Sequence, residues 1–369
     1  VPEGDNPPII LGQWPHIFYL RLMGRVLRRE AEIAALRDRP DAAVDAVEAM
    51  LGLAGQADDW PIGVGVHSSS SIMSWAAEAV LELLPGLRLT EEQLSRLDRA
   101  FDVEPPRFDD AVEGFALTIL DVIQRVYSHR DDGEPALVDP RSFPLLLDLL
   151  ESAAPPLPEG FENAELAELM RNETFLVALG VGLNRRRVDR AAAEREVADL
   201  AAAAFLTLQG PFWEKADGAY GEVETRLFDR EQRSIVVDLF VLNPRQDRRI
   251  REAAIHLRDA ARLAVALERY RLRHGAYPET LDALTPALLP EIPPDRLSGK
   301  PFLYRRDNGA AILYSVGLDR DDDNAAREAS HTYSMWLPLG AAEGLAERHP
   351  EETDGDWILY DTRPVPGPM

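Results

Sequence analysis

The sequence predicts a mainly α N-terminal helical bundle of α-hairpins, followed by a small α+β domain in which one long helix packs on an antiparallel sheet. Three observations predict this. Apolar residues recur at helical spacing from about residue 15 to 240, broken by short Pro/Gly turns. A fresh helix start stands at Asn243-Pro244. Beyond residue 300 the period shortens to that of strands, on either side of Asn308-Gly309. The expected organisation is an acidic helical domain over 1–242 and the α+β domain over 243–369, with an insertion at about 325–353.

Within the first part, Val44, Val47, Leu51 and Ala54 form an apolar stripe after Pro40-Asp41, and Ile72, Ala76, Ala79 and Leu83 form a second that stops at Pro85-Gly86. Thr90 with Gln93 reads as a capping box. Val112, Phe115, Ile119, Ile123 and Val126 make a further stripe. A short helix is expected over 139–149, and two longer ones over about 163–181 and 186–207, beyond the Pro155-Pro156-Leu157-Pro158 break. No fixed repeat of solenoid length is evident, so an irregular bundle is the expectation.

In the second part Asn243 suits an N-cap, Pro244 the first helical position and Gln246 the reciprocal partner. Ile250, Ala253, Leu257, Ala260, Ala264 and Leu267 then mark one face of a helix of about 30 residues, closed by Gly275. Strands follow at 302–306, 310–315 and 356–361.

The formal charge of −24 sets 40 basic against 64 acidic residues, and 20 of the 24 excess negative charges fall within 1–242. Such a balance disfavours nucleic acid and anionic membrane surfaces as partners. Without cysteine there are no disulfides, thiolate metal sites or thiol catalysis. No stretch is long and apolar enough to span a bilayer; Ile9–Leu27 comes nearest and is interrupted by Gln13, His16, Arg21 and Arg25. A first residue of Val rather than Met reads as a chain from which an upstream signal peptide or membrane anchor has been removed.

The order of short motifs in the second part resembles the soluble domain of the major pseudopilin of type II secretion systems. The motifs are Leu267-Glu268-Arg269-Tyr270, His274-Gly275-Ala276-Tyr277-Pro278-Glu279-Thr280-Leu281, Gly299-Lys300-Pro301-Phe302, Leu313-Tyr314-Ser315-Val316-Gly317 and an Asp-rich loop. The match covers about 244–361. The chain as a whole looks similar to bacterial envelope proteins in which acidic α-hairpins precede this module. The resemblance implies the helix-on-sheet fold, a periplasmic or membrane-anchored envelope location and a calcium ion in the acidic loop. Its ligands would be drawn from Asp319, Asp321, Asp323, Asn324, Asp354 and Asp356, the first four of which lie in a run that also holds Asp322. A role in filament assembly does not follow from the fold.

No motif marks an enzyme. His67 beside Ser68-Ser69-Ser70-Ser71 lacks a nucleophile elbow and reads as a helix-opening serine cap. Glu252 and His256 have an i, i+4 spacing compatible with a metal but read as a surface pair. Asp58/Asp59 and Asp109/Asp110 read as solvated or capping carboxylates, and Tyr304, Tyr314, Trp336 and Trp357 as sheet core rather than sugar-binding faces. Gly63-Val64-Gly65 lacks the context of a phosphate loop. The expectation is a non-enzymatic extracytoplasmic binding or structural protein with an unknown protein or envelope component as partner. A cell-envelope hydrolase with a cleft in the helical part, or a helical scaffold for a protein partner, are the alternatives.

Overall fold

The computed structural model describes residues 15–59, 63–127, 189–208, 213, 244–317, 321–325 and 355–363. These form seven helices: α1 (Pro15–Leu36), α2 (Pro40–Asp58), α3 (Gly63–Leu83), α4 (Glu91–Phe101), α5 (Phe108–Val126), α6 (Arg190–Leu208) and α7 (Pro244–His274). Three strands follow, β1 (Leu303–Asp307), β2 (Ala310–Ser315) and β3 (Trp357–Asp361). The expected helices over 139–149 and 163–181, and the insertion beyond Ala325, lie outside the described residues.

Two compact units divide the chain elsewhere than at 242/243. Among the described residues, 15–108 belong with 245–363, while 109–127 and 189–208 belong to the other. The physical reason lies in α7. Its residues 252–267 are almost all buried, so both of its faces are covered. A single apolar cluster joins Val47, Ile72, Leu94 and Phe101 of α2–α4 to Leu257, Ala260 and Leu267 of α7 and to Leu313 and Tyr360 of the sheet.

In this larger unit α1, α2 and α3 pack side by side, and Gly24 of α1 lets the helix approach Ile72 and Trp75 of α3. Thr90 caps α4 as its sequence dictates: Gln93 N donates to Thr90 Oγ1 (3.3 Å) and Thr90 N to Gln93 Oε1 (2.8 Å). Five arginines of α7, spaced by seven and four residues, then reach the α4 segment. Arg251 donates to Pro106 O (2.7 Å), Arg258 to Val103 O (2.9 Å) and Arg262 to Asp102 (3.3 Å). Arg269 donates to Glu91 (3.1 Å) and Asp98 (2.5 Å), and Arg273 pairs with Glu91.

The helix α7 begins on Pro244 and ends where Gly275 N donates to Arg271 O at 2.8 Å. After a 3-10 turn at Leu281–Leu284 the sheet runs as an antiparallel meander, β1-β2-β3. Leu303 pairs with Tyr314 across the first hairpin, and Ser315 with Trp357 across the second contact, which carries a bulge at Leu313/Tyr314. The first hairpin turns on Asn308 (φ 50°) and Gly309 (φ 87°), the two positive angles that a type I′ turn requires.

In the smaller unit α5 buries Val112, Ile119, Ile123 and Val126 of the stripe its sequence shows, together with Val122, while Phe115 of that stripe is only half-buried. Asp189 caps α6, accepting from Ala192 N at 2.8 Å.

Candidate functional site

The most chemically informative place is where β2 and β3 run out beside the acidic loop. Tyr314, second to last in β2, is buried and donates its hydroxyl to Asp322 Oδ1 (3.2 Å). Asn324 N donates to the same oxygen (2.8 Å), so Asp322 folds the loop back on itself. Asn324 and Ala325 both hold positive φ, at 59° and 50°. This curl presents Ala325 N to Asp356 Oδ2 (2.7 Å), just ahead of β3. Arg305 of β1 closes the edge by donating to Asn324 O (2.6 Å).

Two carboxylate oxygens are left over. Asp356 is fully buried, and its Oδ1 has no hydrogen-bond partner; Asp323 Oδ2 is likewise buried and unpartnered. Burial pushes the Asp356 carboxyl up to about 6, with the charges of Asp322 and Asp323 adding and the N–H groups of Ala325 and Asp323 opposing. A buried carboxylate short of donors and beside two like charges is in the environment that a bound cation relieves.

Of the expected ligands, Asp323, Asn324 and Asp356 therefore stand in one loop junction, and Asp321 lies exposed at its start. Asp319 and Asp354 lie outside the described residues. Among the described residues no three His, Asp or Glu side chains are arranged ready to hold a metal. Asp322, which sequence reasoning counted in the loop but not as a ligand, proves to be its organising acceptor. Its signal was faint, a position two residues before an Asn able to adopt left-handed backbone.

A second buried polar group surrounds His256 on α7. Glu252 and His256 are 6% and 1% exposed, so the expected surface pair is instead internal. Glu252 accepts from Arg296 Nε (2.7 Å) and pairs with Arg251. His256 has neither ring nitrogen hydrogen-bonded; its Nδ1 stands 3.7 Å from Asp295 Oδ1 and its ring packs on Phe302 and Trp357. Asp295 spends its oxygens on the backbone N–H groups of Leu297 (2.8 Å) and Val316 (3.4 Å). This constellation locks the loop before β1 against the helix.

Sequence reasoning missed Glu268, an acid on the apolar face of α7. It is buried and accepts from the hydroxyls of Tyr277 and Tyr360 and from Arg271 (2.6 Å). Burial and then the Glu268 charge hold the Tyr360 hydroxyl well above its ordinary range. An acid whose oxygens are all engaged is suited to holding β3 on α7, not to proton transfer.

The remaining candidates resolve into structural roles. Ser68, Ser69 and Ser70 do not open a helix: α3 starts at Gly63, so they sit buried in its interior, with Ser70 O accepting from Ser74 Oγ (2.8 Å). Asp58 accepts from Arg107 N (2.9 Å) and Nε (3.2 Å), and Asp59 lies 3.6 Å from the same guanidinium. Asp109 and Asp110 fall in the first turn of α5. Tyr304 donates to Pro278 O (2.8 Å) and Trp357 is core, whereas Trp336 lies outside the described residues. Gly63-Val64-Gly65 is simply the start of α3.

No helix among the described residues is long and apolar enough to cross a membrane. No family model matches the chain, and no curated protein or solved structure matches it.

Proposed function

We propose that this is a non-enzymatic, extracytoplasmic structural or binding protein, in which a pseudopilin-like helix-on-sheet module is closed at its acidic loop by calcium. The observation that carries the reading is Asp356: a fully buried carboxylate at the mouth of β3 with one oxygen unpaired. Asp323 adds a second such oxygen, and Asp319, Asp321, Asn324 and Asp354 are near enough in sequence to supply more. A hard divalent cation takes six to eight oxygens, which a curled loop of carboxylates and carbonyls supplies. Calcium at the higher concentrations found outside the cytoplasm suits a site of this partly exposed kind.

The module's resemblance to the major pseudopilin of type II secretion systems supports the envelope setting. The polar cluster at Glu268 supports a non-catalytic role, because its carboxylate is engaged in holding β3 and Tyr277 on α7, and Glu252 and Asp295 are likewise spent on Arg296 and on backbone N–H groups.

Titration calorimetry of the purified chain tests the calcium reading. Binding in wild type that is lost in Asp356→Asn is the expected result. No heat of binding in wild type, with equal melting midpoints in calcium and in EDTA, would remove the reading.

A further inference from the structure

Six of the eight large hydrophobic side chains that are exposed among the described residues lie on one helix, α1. That helix has two apolar faces. Ile17, Ala31 and Ala34 are fully buried, with Gly24 against α3, and they fix the inner face. The outer face is a heptad seam. Tyr19, Leu22, Val26, Arg29, Ile33 and Leu36 follow strict 3-4-3-4-3 spacing, the a and d positions of a coiled coil. The five apolar members are 62%, 56%, 61%, 40% and 88% exposed. Met23 widens the seam at an e position. A stripe of this period and length, about 26 Å, is the surface that a second helix of the same kind covers.

We infer that α1 is a self-association surface, and that a second copy of this chain pairs with it antiparallel about a two-fold axis between residues 27 and 28. Charge complementarity selects this occupant and this direction. The N-terminal half of α1 carries Arg21 and Arg25 with no acid, whereas Glu30 and Glu32 lie in the C-terminal half beside Arg28 and Arg29. Antiparallel pairing sets Tyr19 against Leu36 of the second copy, Leu22 against Ile33, and Val26 against the stem of Arg29. It also brings Arg25 beside Glu32 of the second copy, once on each side of the axis. A parallel pair would instead stack the two Arg29 side chains at one d layer. An anionic lipid surface fits less well, because Glu30 and Glu32 share this face and the chain carries a net charge of −24. The inference stands on α1 alone and is independent of the calcium reading.

The interface is small, so association should be reversible, with a dissociation constant of about 1–100 μM. Sedimentation equilibrium of the whole chain should show a dimer fraction that rises with concentration. Leu22→Glu should weaken the dimer about tenfold or more and leave the melting temperature unchanged, since the residue is 56% exposed. The chain has no cysteine, so single introduced thiols report the direction. Leu22→Cys mixed with Ile33→Cys should cross-link on oxidation, while neither variant cross-links with itself. A monomer at all concentrations overturns the inference, as does a dimer indifferent to Leu22→Glu. Self-cross-linking of Leu22→Cys alone overturns the antiparallel pairing. A monomer that sediments with phosphatidylglycerol vesicles through the same face assigns the face to membrane instead.

Discussion

Arg269 Nη1 lies 2.5 Å from Asp98 Oδ2, and the two residues are 171 positions apart. The pair belongs to the row in which five α7 arginines meet the acids and carbonyls of 91–106. The charge step at 242/243, which reads as a domain boundary in the sequence, is in part the two sides of this contact. Acid accumulates on α4 and base on α7 because each offsets the other. Both partners are largely buried, with side chains 13% and 23% exposed, so truncating one leaves the other short of its bond. Asp98→Asn should destabilise the fold by about 1–3 kcal/mol. A double-mutant cycle with Arg269→Gln should recover a coupling of about 1 kcal/mol. Additive single effects in urea unfolding would show that the pair contributes nothing.

The same packing predicts how a fragment behaves. A 243–369 piece keeps α7 and the sheet but strips α2–α4 from the other face of the helix, baring Leu257, Leu263 and Leu267. It should bind a hydrophobic dye and melt without cooperativity, and co-expression with 15–108 should restore a cooperative transition. A sharp melt of the fragment by itself would mean that the sheet face of α7 is sufficient.

Local chemistry was legible and long-range complementarity was not. The Thr90/Gln93 box, the Asn308-Gly309 turn, the start of α7 at Pro244 and its end at Gly275 each depend on residues within a few positions, and each stands where the sequence places it. The Arg269–Asp98 contact has no local signature, since either residue alone reads as a solvated charge. The serines at 68–70 misled because a residue type that favours caps also occurs in helix interiors, and here the hydroxyls of Ser68 and Ser70 are buried inside α3 without a hydrogen-bond partner. The outer face of α1 was hidden by its own doubleness: apolar on two sides, it shows no clean amphipathic period. In the acidic loop the aspartates were plain, but the unpaired state of Asp356 appears only once β3 buries it.

Gly309 carries the clearest single-site test of the sheet. Its φ of 87° is one that a β-branched side chain does not tolerate, while the space around its Cβ position is empty. Gly309→Val therefore introduces backbone strain without a clash and should cost about 1–3 kcal/mol. Gly309→Asn, which accepts the left-handed region more readily, should cost less. Equal melting temperatures for Val, Asn and wild type would contradict the strained turn.

His256 gives the fold an acid-side limit. Burial lowers its imidazole from the ordinary 6.5; Asp295, Asp259 and Glu252 oppose the shift and Arg296 adds to it. The unfolded chain takes up a proton below about pH 6.5 that the folded chain refuses. Its contribution is thus intact above that pH and lost as pH falls through the window beneath it. His256→Phe, which retains the packing on Phe302 and Trp357, should flatten the decline of melting temperature between neutral and acid pH. An identical acid slope in the variant would place the sensitivity elsewhere.

Calcium should reverse the pH response of the loop. In the cation-free chain the Asp356 carboxyl sits at about 6, above its ordinary 3.8, so its charged form is the disfavoured one. A group raised in this way contributes stability that is present at low pH and lost as pH rises through about 6. With EDTA present, then, Asp356→Asn should raise the midpoint at pH 7.5 (about neutral) and change little at acid pH. With calcium present the ionised carboxylate gains a partner, and the gap closes: calcium at 100 times the dissociation constant stabilises the wild type by about 2.7 kcal/mol over its own calcium-free form and leaves the variant unchanged. Affinity should fall as the pH drops through about 6, where protons compete for the Asp356 oxygen that the fold leaves unpaired. Asp322→Asn serves as the contrast. Its oxygen is already taken by Tyr314 and Asn324, so the variant should loosen the loop in both conditions alike. Four melts, wild type and Asp356→Asn each with and without calcium, decide the matter: parallel shifts in both proteins would show that the ion acts somewhere other than Asp356.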